Sequence, residues 1–321
     1  MIPFLQNCKT LFVFSDPGGA KPCLAMAEIF EKADVMIISD RDYSFYTDFK
    51  NDVSLSSIDE ISALIEVFSP LQVITGTSYT SKIELYAIKI AKEKVITVFS
   101  FIDHWTKMKE RFYITPNVLI LPDYILVIDD TAKKNAIESG LPSERISITG
   151  NPYHSWLKSW HPKISRNLFL DSCGLETKKT KFILYAPDPL SNINGKQEYG
   201  FDELGITQSL INIINKNNVF FKDYLILLKP HPNQNIEELD KIVKNSNNFL
   251  MLSSNVGVNE YIYFADIVIS FFSSLLIEAK VLNKKIIRIY EGDIYNDPLN
   301  NKDIGVLTRI DDLVYTIKKI S

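Results

Sequence analysis

Apolar, β-branched-rich runs recur along the chain between stretches of helical spacing. They read TLFVFS, ADVMIIS, LQVITG, KVITVFSFI and YILVID in the first half, then KFILYAP, YLILLKP, FLMLS, ADIVIS and KKIIRIY in the second. Runs this short and unbroken suit strands buried on both faces of a parallel sheet, and their alternation with helices predicts βαβ units. The series pauses once. From Ile148 to Phe182 the chain reads ITGNPYHSWLKSWHPKISRNLFLDSCGLETKKTKF, with Gly150, Pro152 and Pro162 and no strand pattern. TGNP is read as the end of the first domain's last strand, which places a boundary near Asn151. The expected fold is α/β, with two Rossmann-like domains, residues 1–151 and 152–321. They would face each other across a cleft lined by the carboxyl edges of two sheets, where ligands bind in folds of this kind.

Composition narrows the function. A chain of 321 residues with 46% hydrophobic and 12% aromatic residues can build two cores. Its formal charge of −4 leaves no excess of cations to displace counterions from a nucleic-acid backbone, so nucleic acid is not an expected partner. Cys8, Cys23 and Cys173 are scattered and odd in number, which fits reduced thiols in the cytoplasm better than a disulfide framework. MIPFLQNCKTLFVF lacks the features of a signal peptide, and no apolar run has membrane-spanning length. A soluble cytoplasmic protein is expected, with peripheral association at the inner face of a membrane left open. No metal-ligand cluster stands out, so neither a metal nor another cofactor is expected.

The stretch LILLKPHPN, residues 225–233, is the first with chemistry in it. An apolar strand ends on Lys229 and His231, each followed by a proline, Pro230 and Pro232. The prolines stop the strand and hold both preceding residues extended, so a cation and an imidazole are fixed at the carboxyl edge of a sheet. Some forty residues later ADIVISFFSSLLIEAKVL runs from a buried strand through Ser270 to Ser273 and Ser274, where a helix begins. Hydroxyls and free amides at a helix start favour an anion. Glu278 lies four residues after Ser274, on the same helix face, and is placed to accept from a ribose. APDPLSN, after the second domain's first strand, adds Asp188 and Ser191 to the edge of that site.

KPHP followed by SFFSSLLIEA resembles the paired HP and SS motifs of bacterial sialyltransferases and related capsule glycosyltransferases, the Kdo and polysialic acid enzymes among them. ITGNP followed by a second Rossmann-like half is similar to the GT-B glycosyltransferase architecture. The resemblance implies a nucleotide-sugar donor, with a CMP-sugar favoured, whose phosphate is held by His231, Ser273 and Ser274. Lys229, Pro232, Ser270, Glu278 and Asp188 complete the expected donor site. Similar HP and EA segments occur in glycerophosphate transferases of teichoic acid synthesis, which use CDP-glycerol, and in UDP-sugar 2-epimerases, and both remain alternatives. The epimerases open with a first loop rich in an arginine and a glutamate, which SDPGGA is not.

The N-terminal half is expected to hold the acceptor, a glycan or glycolipid, together with the general base. SDPGGA ends the first strand, with Asp16 facing the cleft and Gly18 and Gly19 permitting a tight turn or close ligand approach. The sialyltransferase pattern uses an aspartate of such a segment as base, which implies Asp16. FIDHW offers Asp103 and His104 at another strand end, followed by Lys107 and Arg111 as cations for an anionic acceptor or head group, and Asp103 is the favoured base. GTSYTSKIE adds Ser78, Thr80 and Glu84 as sugar hydrogen-bonders. DRD at 40–42 matches a metal motif of a different glycosyltransferase architecture but sits too early in the chain, and His154 and His161 lie in an aromatic linker. The expected activity is metal-independent glycosyl transfer onto a bacterial surface polysaccharide or glycolipid. A base acting directly on the acceptor needs one displacement, which favours inversion. The non-enzymatic alternative is a sugar-nucleotide-binding partner of another transferase.

Overall fold

The structure is a computed structural model that describes residues 7–172, 181–231, 234–244, 246, 248–252, 258–295, 297, 299 and 303–320. Cys173 and Pro232 lie outside the described residues. The chain divides into two compact units, Met1–Trp156 and Leu157–Ser321.

The first unit is built on strands β1 (Thr10–Phe14), β2 (Val35–Ser39), β3 (Ser54–Leu55), β4 (Gln72–Thr75) and β5 (Thr97–Ile102). A small antiparallel hairpin follows, β6 (Tyr113–Thr115) with β7 (Val118–Leu119), and then β8 (Tyr124–Val127) and β9 (Ile146–Ile148). Apart from the hairpin they form one sheet in the order β3-β2-β1-β4-β5-β8-β9, parallel throughout. The period-2 rule places its residues. Leu11 and Val13 of β1 enter one core with Ile65, Val73 and Ile88, while Phe12 and Phe14 enter another with Leu24, Phe30 and Phe101. Both faces of the sheet are thus covered, as the unbroken apolar runs require.

The second unit repeats the plan. Strands β10 (Lys181–Tyr185), β11 (Tyr224–Leu228), β12 (Phe249–Met251), β13 (Ile267–Ser270), β14 (Lys285–Tyr290) and β15 (Val306–Arg309) form a parallel sheet in the order β12-β11-β10-β13-β14-β15. Ile183, Tyr185, Ile226, Leu228 and Ile269 share one core with Ile206, Leu210 and Leu313.

All ten apolar runs are strands. Ile146–Ile148 is the strand that TGNP ends. Four further strands were not legible, because Ser54–Leu55, Tyr113–Thr115 and Val118–Leu119 are only two or three residues long and Val306–Arg309 is mostly exposed. The pause in the series contains helices Pro152–Ser159 and Arg166–Ser172. In each sheet the strand order reverses beside the first strand, between β1 and β4 and between β10 and β13. Loops at these two places carry most of the residues singled out from the sequence. No helix among the described residues is long and apolar enough to cross a membrane.

Candidate functional site

In the first unit the loops after β1, β4 and β5, three neighbouring strands, bring Asp16, Gly18, Gly19, Ser78, Glu84, Asp103 and His104 to one edge. DPGG is the start of the helix Pro17–Ala27, with Pro17 at its first turn, and not a tight turn. The glycines permit close approach of the protein to itself. A Cβ on Gly18 would lie 2.0 Å from Asp103 Oδ2, and one on Gly19 would lie 2.9 Å from the Gly76 Cα. The Asp103 carboxylate therefore rests on the helix start, and the glycine pair closes the crevice between β1 and β4.

Asp103 is held on its other side by Arg111, whose Nη1 is 3.1 Å from Oδ1. The same nitrogen donates to Thr77 Oγ1 at 3.0 Å and to the Thr77 carbonyl at 3.2 Å. Arg111 is only 6% exposed and its guanidinium lies 4.5 Å from the Tyr79 ring, an arrangement that suits a delocalised cation better than an ammonium. Lys107 covers the same ring from 5.6 Å. His104 Nδ1 accepts from the Thr106 amide at 3.3 Å and lies 3.0 Å from the Thr106 hydroxyl. Burial lowers the imidazole's pKa, although neighbouring Asp103 acts to raise it.

Asp16 is engaged on both oxygens. Oδ2 accepts from the Tyr79 amide at 2.9 Å, and Oδ1 accepts from Thr80 Oγ1 at 2.6 Å and pairs with Arg41 at 3.1 Å. Arg41 is the middle of DRD, whose aspartates have different partners: Asp40 accepts from Ser81 Oγ and Asp42 from the Ser44 amide. Among the described residues no group of His, Cys, Asp and Glu is gathered as a metal site would need.

Glu84 is the largest departure from the sequence expectation. It is 2% exposed, so it does not reach a sugar. Its Oε1 accepts from the Ser15 amide at 3.0 Å and from Ser78 Oγ, which itself accepts from the Asp16 amide at 2.8 Å. Burial outweighs these donors and pushes the carboxyl up to about 7. Ser78 is likewise 5% exposed and belongs to this tie between loops. Neither residue is placed to contact an acceptor.

In the second unit the loops after β11, β10 and β13, again neighbouring strands, bring His231, Asp188 and Ser273 to the carboxyl edge. Strand spacing puts the two outer loops about 10 Å apart at their roots. Lys229 is buried, and its Nζ donates to the Pro230 carbonyl at 3.0 Å. Half-buried His231 has its pKa lowered by burial and then by Lys229, so its imidazole is neutral at neutral pH.

The serine turn differs from expectation. Ser274 precedes the helix Leu275–Val281 but is itself in a helical conformation and makes no side-chain cap; Ser273 Oγ instead accepts from the Leu275 amide at 3.3 Å. The amide of Phe272 donates to Asp188 Oδ2 at 2.8 Å, and that of Ser273 also donates to this carboxylate. Asp188 thus fills the amides that an anion would use. Its carboxyl is nevertheless raised to about 6, chiefly by burial and further by Glu203. Ser270 is fully buried and donates to the Ala186 carbonyl at 2.5 Å, which makes it a tie between β13 and β10 and not a ligand contact. Glu278 is 4% exposed, too enclosed for the ribose contact expected of it. Arg288, unnoticed in the sequence, supports the turn from below by donating to the Phe271 carbonyl at 3.0 Å and pairing with Asp297.

A sequence model of the family described as CDP-Glycerol:Poly(glycerophosphate) glycerophosphotransferase matches residues 122–298, more than half the chain and all of both motif-bearing loops of the second unit. The chain belongs to this glycerophosphotransferase family. It is accordingly a transferase acting on nucleotide-activated substrates. The family is one of the alternatives raised by KPHP and SFFSS; the sialyltransferases that the same motifs resemble are not shown.

Solved structures similar to this glycerophosphotransferase relative include the UDP-GlcNAc 2-epimerase of Neisseria meningitidis bound to UDP-GlcNAc. It has 14% identity and a TM-score of 0.66, over 98% of this chain and 91% of that one. The S. aureus MnaA structure with UDP has 14% identity and a TM-score of 0.65, over 98% and 87%. The UDP-N-acetylglucosamine 2-epimerase of Rickettsia bellii has 17% identity and a TM-score of 0.62, over 98% and 88%. At such identities the likeness is one of fold, and it is the GT-B-like pair of Rossmann-like domains. A search of curated proteins gives no match.

Proposed function

We propose that this protein transfers glycerophosphate from CDP-glycerol to a hydroxyl of a polyol-phosphate or glycan acceptor, with the second unit binding the donor and the first the acceptor. The family match across both KPHP and SFFSS is the observation that carries this reading. In the reaction an acceptor oxygen attacks the phosphorus that bears glycerol, the bond from that phosphorus to CMP breaks, and CMP leaves. His231 lies at a strand end beside β10 and donates an N–H to the donor phosphate, while the hydroxyls of Ser273 and Ser274 supply further donors. Asp188 shapes the serine turn from behind.

The base is Asp103. Both oxygens of Asp16 are occupied by Tyr79, Thr80 and Arg41, whereas Asp103 is fixed through Oδ1 by Arg111 and keeps Oδ2 for a proton. His104 stands next to it as a neutral imidazole that can hydrogen-bond the acceptor. Lys107 offers this edge a positive charge for a phosphate-bearing acceptor, whereas Arg111, expected from the sequence to do the same, is buried and spent on Asp103 and Thr77 and orients the base instead. No resident cofactor or metal takes part in this scheme, and the reading places the protein in the cytoplasm.

The test is donor hydrolysis without acceptor. Incubated separately with CDP-glycerol, CMP-sugars and UDP-sugars, the protein should slowly release CMP from CDP-glycerol. Release from a sialic-acid-like or Kdo-like CMP donor alone would replace glycerophosphate by sugar transfer while keeping the cytidine site. Turnover of UDP-GlcNAc alone, with epimerisation, would overturn the proposal.

A further inference from the structure

Glu203 has no exposed surface, yet it is a carboxylate at the first turn of the helix Glu203–Lys216. Three donors converge on it. Oε2 accepts from the Ser191 amide at 2.8 Å, and Oε1 accepts from Ser191 Oγ and from Gln234 Nε2, each at 2.5 Å. Ser191 is in the loop after β10. Gln234 is in the loop after β11, and its amide donates to the His231 carbonyl at 2.9 Å. One buried carboxylate therefore ties together two of the three loops at the donor edge, and its second tie ends on Gln234, whose backbone amide holds the His231 carbonyl.

We propose that Glu203 is a positioning residue that, through Gln234, fixes the loop bearing His231 against the loop after β10. The inference rests on the donor reading of this edge. Two observations set it apart from ordinary packing. Burying a carboxylate is costly unless all its oxygens are used, and here acceptor-only chemistry is required: an amide in its place would turn an NH2 toward at least one of three donors. In addition, Gln234 is 7% exposed, and its Oε1 is buried with no hydrogen-bond partner among the described residues. What holds this side chain is its NH2, on Glu203.

The experiment compares the wild-type protein with Glu203→Gln, Gln234→Met and His231→Ala, and with the double variants of His231→Ala. Isothermal titration with CDP-glycerol gives affinity, and NMR titration of the four histidine rings, assigned by loss of a signal in His231→Ala, gives the ring pKa. Glu203→Gln and Gln234→Met should each weaken CDP-glycerol binding about tenfold, the equivalent of one hydrogen bond to a charged group. Neither should weaken it further once His231 is alanine. The His231 ring should titrate closer to its ordinary 6.5 in both variants, as its loop loosens into water. Additive losses of affinity, or a His231 ring unmoved in Gln234→Met, would overturn the proposal. Gln234→Met leaves the Ser191 tie intact and serves where Glu203→Gln does not fold. If His231→Ala binds CDP-glycerol normally, the donor reading fails, and the ring titration still decides whether Glu203 positions the loop.

Discussion

Replacing Glu84 by glutamine tests the energetics of the first unit's carboxyl edge directly. Burial raises this carboxyl from its usual 4.5 to about 7, so the native state binds the proton more tightly than the unfolded chain does. The stability this confers is fully present below pH 4.5 and is lost as pH rises through 7. At about 1.4 kcal/mol for each tenfold change in proton affinity, the difference is on the order of 3 kcal/mol. Glutamine stays neutral, and its carbonyl oxygen can still accept from the Ser15 amide and Ser78 Oγ. Glu84→Gln should therefore match the wild type near pH 4 and exceed it by up to about 3 kcal/mol at pH 8.5. Hydrogen exchange of the β1 amides reads the stability of the first unit without contribution from the second. Equal protection in the two proteins at pH 4 and at pH 8.5 would refute the argument, because ionisation of Glu84 would then be unlinked to folding. A variant less stable at every pH would show that the bonds to Ser15 and Ser78 need a carboxylate.

Asp103→Asn should keep CDP-glycerol affinity and lower turnover by about 10²–10⁴-fold, with Asp16→Asn the milder change; steady-state kinetics at saturating donor in which the order is reversed would move the base to Asp16. Gly18→Ala should displace the Asp103 carboxylate, since the new methyl would meet Oδ2 at 2.0 Å, costing about 1–3 kcal/mol in urea unfolding and most of the turnover. Wild-type kinetics and stability in that variant would mean that Asp103 does not need to rest on the helix start. Binding of CDP-glycerol at pH 7 should take up protons, because a phosphate raises the pKa of His231, now lowered by burial; titration calorimetry in two buffers of different ionisation enthalpy checks this, and identical heats would place the phosphate away from the imidazole.

The fold could be read from the chain because both sheets are parallel and covered on both faces, which forces their strands to be continuous apolar runs. The edge strands escaped because they bury little: Ser54 and Leu55 are both exposed, and a two-residue strand has no period to detect. Of the site, strand ends were legible and side-chain roles were not. Lys229, His231, Asp103 and Asp16 stand where prolines or a change of pattern stop a strand, which is a local signal. Whether a carboxylate at such a place reaches solvent depends on residues far away in sequence. Glu84 faces Ser15 across 69 positions, and Asp188 faces Phe272 across 84. Glu203 was missed altogether, since DEL at a helix start reads as a capping aspartate followed by a solvated glutamate. Asp202 does cap, accepting from the Gly205 amide at 2.8 Å, and it is its neighbour that turns inward. Nor does anything near Arg41 in the sequence point to its partner, the Asp16 carboxylate.

The serine turn shows what such distant contacts do to a functional argument. Serines at a strand-to-helix junction suggest a phosphate held by backbone amides and the helix dipole. Here Asp188 already occupies the amides of Phe272 and Ser273, and the helix that follows has seven residues. Little backbone charge is left for a phosphate, and the carboxylate behind the turn would repel one. The attraction must then come from hydroxyls and from the imidazole across β10, which is neutral until a phosphate raises its pKa. On the proposed donor reading, the phosphate is held by hydroxyls and by one imidazole that gains a proton on binding, and this makes the placing of His231, by the loop that Glu203 and Gln234 secure, the controlling element of that edge.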